Sequence, residues 1–101
     1  MYISSMKWSA IITTYNSEEV IGRAIMSLQA LPSSEKPSDI VVVDNASSDG
    51  TVGIIKSADP HVKTVLNRHN LGLSRANNIG ARVASGNSFF FINPDVGFFT
   101  S

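Results

Sequence analysis

Short apolar runs alternate along the chain with stretches in which apolar residues recur every three or four positions, and this alternation predicts four strands and three helices. Residues 8–14 read as a buried strand rich in β-branched residues. Val20, Ile21, Ala24, Ile25 and Leu28 then recur at one-face helical spacing, with Asn16 or Ser17 as cap and Glu18 and Glu19 in the first turn. Pro32 and the polar stretch to Ser38 end that helix. Residues 39–43 form a second strand, and the valine run within it predicts burial on both faces, as in a parallel sheet. Ser47 to Thr51 reads as loop and cap of a weaker helix through Ile54 and Ile55, closed by Asp59-Pro60. Residues 62–66 are a third strand. From about Leu71 to Ser85 the spacing predicts a helix with Leu73, Ala76, Ile79, Val83 and Ala84 inward, stopped by Gly86. Residues 88–92 are a fourth strand, with Phe89-Phe90-Phe91 assigned to the core. The order β-α-β-α-β-α-β predicts an α/β fold with a parallel sheet and right-handed crossovers.

Three of the four strands run directly into polar clusters. The first leads into Tyr15-Asn16, the second into Asp44-Asn45-Ala46-Ser47-Ser48-Asp49-Gly50, and the fourth into Asn93-Pro94-Asp95. Open parallel sheets bind ligands beyond the carboxyl ends of their strands, near the point where strand order reverses. Three polar strand ends in one small chain therefore predict one site, for a nucleotide.

Composition narrows the classes. A chain of 101 residues is one domain or part of one, and its 43% apolar and 16% charged residues fit a globular fold. Eight basic and eight acidic side chains cancel, which leaves no net electrostatic footprint for nucleic acid. The absence of cysteine excludes disulfides, zinc ribbons and thiol catalysis. No apolar run approaches the roughly 20 residues that span a bilayer. Met1 to Lys7 has no signal-peptide core, so the cytoplasm is the expected location. Asn45-Ala46-Ser47 matches a glycosylation sequon but reads as turn chemistry.

Several phosphate and nucleophile signatures are missing. There is no glycine-rich turn after the first strand, no GxxxxGK[ST] and no GxSxG, which argues against dinucleotide binding, a P-loop and a hydrolase elbow. His61 and His69 lack paired ligand spacing and are expected in solvent-facing loops.

The strand-end clusters themselves resemble those of the family 2 glycosyltransferases over about residues 8–97. Thr13-Thr14-Tyr15-Asn16-Ser17-Glu18 looks like the opening segment of that family, with Thr13 in place of its usual proline. Val41 to Thr51, through Asp44-Asn45-Ala46-Ser47-Ser48-Asp49-Gly50, is the most specific match. Asn70-Leu71-Gly72 and Ala76-Asn77-Asn78-Ile79-Gly80 are similar to the family's third helix. Asn93-Pro94-Asp95 stands where the family has its DxD metal motif, with Asn93 replacing the first Asp, as in rhamnosyltransferase-like branches.

The resemblance implies the nucleotide-binding half of a GT-A fold: a Rossmann-like three-layer α/β/α parallel sheet in the order 3-2-1-4, forming a single, incomplete domain over residues 1–101. It also implies a nucleoside-diphosphate sugar as partner, nucleotide binding by Thr13, Tyr15, Asp44 and Asn45, and a divalent cation (Mg or Mn) held by Asp95 with the diphosphate. Strands lie ~4.8 Å apart, so the ends of the second and fourth are roughly 10 Å apart and Asp44 and Asp95 cannot chelate one ion. A nucleotide lying across the first strand suits that separation. The implied reaction is sugar transfer to an acceptor hydroxyl with inversion, assisted by a Lewis-acidic metal and a general base. In the family that base lies beyond the DxD region, past Ser101. The expectation is a glycosyltransferase region inactive by itself; the alternative is a non-catalytic nucleotide-binding or structural module. A receiver-like domain fits less well, because the third strand ends in Asn67-Arg68-His69 without a phosphoacceptor Asp. An uncovered fourth strand together with Phe98-Phe99 implies homo-oligomers.

Overall fold

The first of the described strands lies inside the sheet. In the computed structural model, which describes residues 7–95, β1 (Trp8–Thr14) is hydrogen-bonded on one side to β2 (Asp39–Asp44) and on the other to β4 (Ser88–Ile92). β3 (Lys63–Leu66) extends the sheet beyond β2, every pairing is parallel, and the order is β3-β2-β1-β4. Helices α1 (Ile21–Gln29), α2 (Thr51–Ala58) and α3 (Leu73–Val83) make the crossovers. This is the α/β/α arrangement that the sequence predicts, in the expected strand order.

The apolar run in β1 works on both faces because side chains alternate along a strand. Ala10 and Ile12 join Val42 in a cluster with Ile21, Ile25 and Leu28 of α1 and Ile55 of α2. Ile11 joins Val41, Val43 and Ala76 of α3 on the other face. Each of the large side chains in these clusters is fully buried and contributes roughly 1.5–3 kcal/mol of transfer free energy.

α3 approaches the sheet closely because position 80 is glycine. A Cβ there would lie 2.5 Å from Cγ2 of Ile11 and 3.2 Å from Cγ2 of Val43. Gly86 plays a related part: its Cβ would meet the Ser9 nitrogen at 2.8 Å. It does not stop α3 as a left-handed cap, since Ala84 already turns extended (φ −74°, ψ 148°).

The amino ends of the strands are tied by a polar knot. Buried Ser9 donates to the Asp39 carboxylate and accepts from the Gly86 N–H at 2.8 Å. Asp39 also accepts from the Ser85 N–H and forms an ion pair with Lys63, both at 3.0 Å. Burial pushes the Asp39 carboxyl up, but the hydrogen bonds from Ser9, Lys63 and Ser85 outweigh it and hold the group below the ordinary aspartate value. A depressed folded-state pKa gives stability that is complete above the unfolded value, about 3.9, and is lost as pH falls through the folded one. The melting temperature is therefore expected to drop on acidification below about pH 4. Asp39→Asn, followed by circular dichroism, should be less stable at pH 7 and show a flatter acid limb. An unchanged limb would remove Asp39 from the account.

The structure departs from the sequence expectation at the start of α1, on α3 and on β4. α1 begins at Ile21 with no side-chain cap, so Glu18 and Glu19 lie before the helix rather than in its first turn. The Ser17 hydroxyl instead accepts from the Tyr15 N–H at 3.2 Å, while the loop before α2 takes up the Ser17 N–H, which donates to Thr51 Oγ1 at 2.8 Å, and Glu18 Oε1, which accepts from the Gly50 N–H at 2.7 Å. Leu73 and Val83, expected inward, are 64% and 41% exposed, because α3 is seated on the sheet through the small residues Ala76 and Gly80. Phe89, Phe90 and Phe91, expected in the core, are 40%, 59% and 50% exposed. They sit on the edge strand β4, where among the described residues only Trp8 stacks against one ring, that of Phe90, at 5.0 Å. Phe98 and Phe99 lie outside the described residues. Among the described residues no helix is long and apolar enough to cross a membrane.

Candidate functional site

The carboxyl ends of β1, β2 and β4 lie side by side, with Thr14 opposite Asp44 and Ile12 opposite Ile92. Asp44 is the most buried ionisable group there, at 2% exposure. Its Oδ1 accepts from the hydroxyls of Thr14 at 2.7 Å and Ser47 at 2.6 Å, and its Oδ2 accepts from the Ser47 N–H at 2.9 Å. An ionised carboxylate has about four acceptor positions, so this pattern leaves one on Oδ2.

Two loops close over this carboxylate as a unit. The Asn16 N–H donates to Ser47 Oγ at 2.8 Å, and Asn16 Oδ1 accepts from the Ser48 N–H at 2.8 Å. Both loops turn through a left-handed residue that is not glycine, Asn16 with φ 48° and Ala46 with φ 64°. Asn tolerates that region well; for Ala it costs about 1 kcal/mol or more. Asp49 accepts from the N–H and hydroxyl of Thr51 and from the Glu18 N–H. Partial desolvation raises its carboxyl, and these bonds, those of Thr51 foremost, bring it below the usual value.

Strand alternation separates the other residues expected here. Thr13 faces α3 rather than Asp44, and its hydroxyl donates to Asn77 Oδ1 at 3.0 Å. Asn45 is also turned toward the α3 side and is 2% exposed. Its Oδ1 accepts from Asn67 Nδ2 at 2.9 Å and the Leu71 N–H at 3.3 Å, while its Nδ2 donates to the Gly72 carbonyl. Tyr15 is 53% exposed, so its ring is open at the mouth of the site. Asp95 is exposed just past β4, and its N–H donates to Asn93 Oδ1 at 2.9 Å. That bond turns the Asn93 oxygen back into its own loop. Among the described residues no three His, Asp or Glu side chains gather as a metal cluster.

Asn77 and Ser47 shape this site more than the sequence suggests. Both are short polar side chains whose role is set by what stands across the sheet from them. Asn78 lines the outer flank of α3, and Asn77 and Asn45 tie α3 and the segment before it to the strand ends. His61 and His69 are solvent-exposed, as expected. A separate cavity of about 230 Å³ opens at the opposite end of the sheet, lined by Lys36, Asp39, Asp59 and His61 among others. Its two aspartates are already occupied by Lys63, Ser9, Gln29 and His61.

Known proteins are similar to this chain in sequence and fold. The chain is 31% identical over 93 residues to the glycosyltransferase YfnE of Bacillus subtilis, which covers 90% of this chain and 24% of that protein. It is 29% identical over 93 residues to the poly(ribitol-phosphate) β-N-acetylglucosaminyltransferase TarS of Staphylococcus aureus, covering 89% of this chain and 16% of that one. The crystal structure of TarS residues 1–349 superposes with a TM-score of 0.73 at 30% identity, over 89% of this chain and 28% of that one, and TarS has also been crystallised with UDP and with UDP-GlcNAc. Glucosyl-3-phosphoglycerate synthase of Mycobacterium tuberculosis, solved with Mn²⁺ and UDP, shares the fold at a TM-score of 0.76 and 21% identity, over 91% of this chain and 34% of that one. The chain thus spans about a quarter or less of the curated relatives it matches. Residues 9–99 match the model of glycosyl transferase family 2, so the chain belongs to that family and carries the strand order of its GT-A fold.

Proposed function

We propose that this chain is the nucleotide-binding part of a family 2 glycosyltransferase that moves a sugar from a nucleoside diphosphate to an acceptor hydroxyl with inversion. The observation that carries the reading is the buried Asp44 carboxylate at the carboxyl end of β2, held by Thr14 and Ser47 with one acceptor position left over. That position suits an N–H of a base or a hydroxyl of a ribose. Tyr15 supplies an exposed wall for the nucleoside, while Thr13 and Asn45 fix the backbone beneath it through Asn77 and Gly72. The UDP and UDP-GlcNAc complexes of TarS support this chemistry by likeness.

Asp95 is the residue that would hold a divalent cation, Mg or Mn. It offers one exposed carboxylate, so a hard cation would draw its other oxygens from the diphosphate and water. Bound there, the ion would supply charge stabilisation to the leaving diphosphate. Asn93-Pro94-Asp95 in place of a DxD motif is the support for reading the protein as a rhamnosyltransferase-like variant. The general base belongs to the acceptor half of the enzyme, beyond Ser101, and a cytoplasmic location is part of the same reading.

Calorimetry with UDP tests it. Binding is expected with Mg²⁺ or Mn²⁺ and weakened by EDTA, and Asp95→Ala should lower affinity about tenfold or more while abolishing the metal dependence. Metal-independent binding that ignores both Asp95→Ala and Asp44→Ala would refute the assignment.

A second reading rests on the exposed Phe89-Phe90-Phe91 edge. Taken alone, the 101-residue chain would cover β4 with a second copy and act as a self-associating, non-catalytic module. Light scattering is expected to show dimers or larger species that dissociate in Phe90→Glu. A monomer at all concentrations speaks against it.

A further inference from the structure

We propose that the outer flank of α3 is a docking surface for a linear polyanion that carries phosphates in series and lacks aromatic groups. Although the chain is neutral, its charge is divided. Residues 60–94 hold Lys63, Arg68, Arg75 and Arg82 and no acidic side chain. Among the described residues the ion pairs are Asp59 with His61 and Asp39 with Lys63, so the three arginines have no carboxylate partner. All three are exposed.

The spacing of Arg75 and Arg82 makes a track rather than a point. Arg75 and Arg82 are seven residues apart on one helix, two turns, which places them about 10 Å apart on one flank. Between them lies a shallow groove of about 250 Å³, with Asn78 as a neutral donor and Leu71 and Ile79 as its apolar floor. Guanidinium forks bind phosphate oxygens in pairs, and two forks in line fit separate phosphates along one chain better than one small anion. α3 begins at the end of the sheet where Asp44 lies, so the track runs away from the candidate site toward the opposite end.

Two other anionic surfaces fit less well. No Phe, Tyr or Trp occurs between residues 60 and 88, so single-stranded nucleic acid would find no stacking platform. The exposed apolar residues nearby, Leu66, Leu73 and Val83, do not line the groove, so the arginines lack the apolar wedge that seats a surface on lipid. The inference does not depend on the nucleotide reading.

The test is fluorescence anisotropy of labelled short-chain linear polyphosphate with the full chain. Binding is expected to weaken as salt rises. Arg75→Ala with Arg82→Ala should weaken it about thirtyfold, and Arg75→Lys with Arg82→Lys should recover part of that loss. Lys36→Ala with Lys56→Ala removes the same charge elsewhere and should change affinity less than threefold, or about 0.65 kcal/mol. UDP binding should be unchanged in every variant, which separates failure here from failure of the nucleotide site. Equal weakening by both alanine pairs would overturn the proposal. So would arginine-dependent binding to phosphatidylglycerol vesicles, or to an oligodeoxynucleotide, without binding of polyphosphate.

Discussion

Gly80→Ala is expected to lower stability by about 2–3 kcal/mol, the upper part of the range for forcing extra volume into a packed core. In an exposed helix the same change would help by up to about 1 kcal/mol, because glycine is a poor helix former. Packing reverses the sign here. The new methyl would sit 2.5 Å from Cγ2 of Ile11, and Ile11 is fully buried in the central strand. Relief must come from lifting α3 off β1 and β2. That motion would stretch the Thr13–Asn77 and Asn45–Gly72 hydrogen bonds, so nucleotide affinity should fall together with stability. Urea denaturation gives the first quantity and calorimetry the second. A variant as stable as the parent would show that α3 is not pinned at this point.

Asp44→Ala is expected to abolish measurable UDP binding and to destabilise the fold by about 2–4 kcal/mol. The substitution leaves the Thr14 hydroxyl, the Ser47 hydroxyl and the Ser47 N–H without their acceptor, and Thr14 is itself fully buried. Asp44→Asn separates charge from shape. The amide fills the same space but offers a single acceptor oxygen and turns an NH₂ toward one of those donors. It should retain much of the fold and still lose binding by tenfold or more. If Asp44→Asn binds UDP like the parent, the carboxylate serves the loops and not the ligand.

The strands were legible because each is an uninterrupted apolar run ended by a polar cluster, and the valines of β2 announced burial on both faces. The strand order came from likeness to a family, since spacing alone does not order strands. What stayed hidden depends on partners distant in the chain. The Ser17 hydroxyl and the Glu18 carboxylate look like helix-capping groups until Tyr15 and Gly50 are seen to claim them. Leu73 and Val83 follow the helical period faithfully, but α3 rests on the sheet through Ala76 and Gly80 and leaves both outside. Thr13 and Asp44 look like partners in sequence. Parallel pairing puts Thr14, not Thr13, opposite Asp44, and a period of two sends Thr13 to the other face.

The knot at the amino ends of the strands bears on how the chain is made. Ser9 takes its last hydrogen bond from Gly86, 77 residues later, and β1 meets β4 only when residues 88–92 exist. During synthesis β1 and β2 can pair once α1 has been made, but one long edge of β1 stays open until nearly the whole described chain has left the ribosome. Of the four described strands, the one with the most buried residues is therefore made before the others and is flanked on both sides only at the end. Its exposed interval, rather than its final stability, sets the window in which a nascent chain is vulnerable to mispairing.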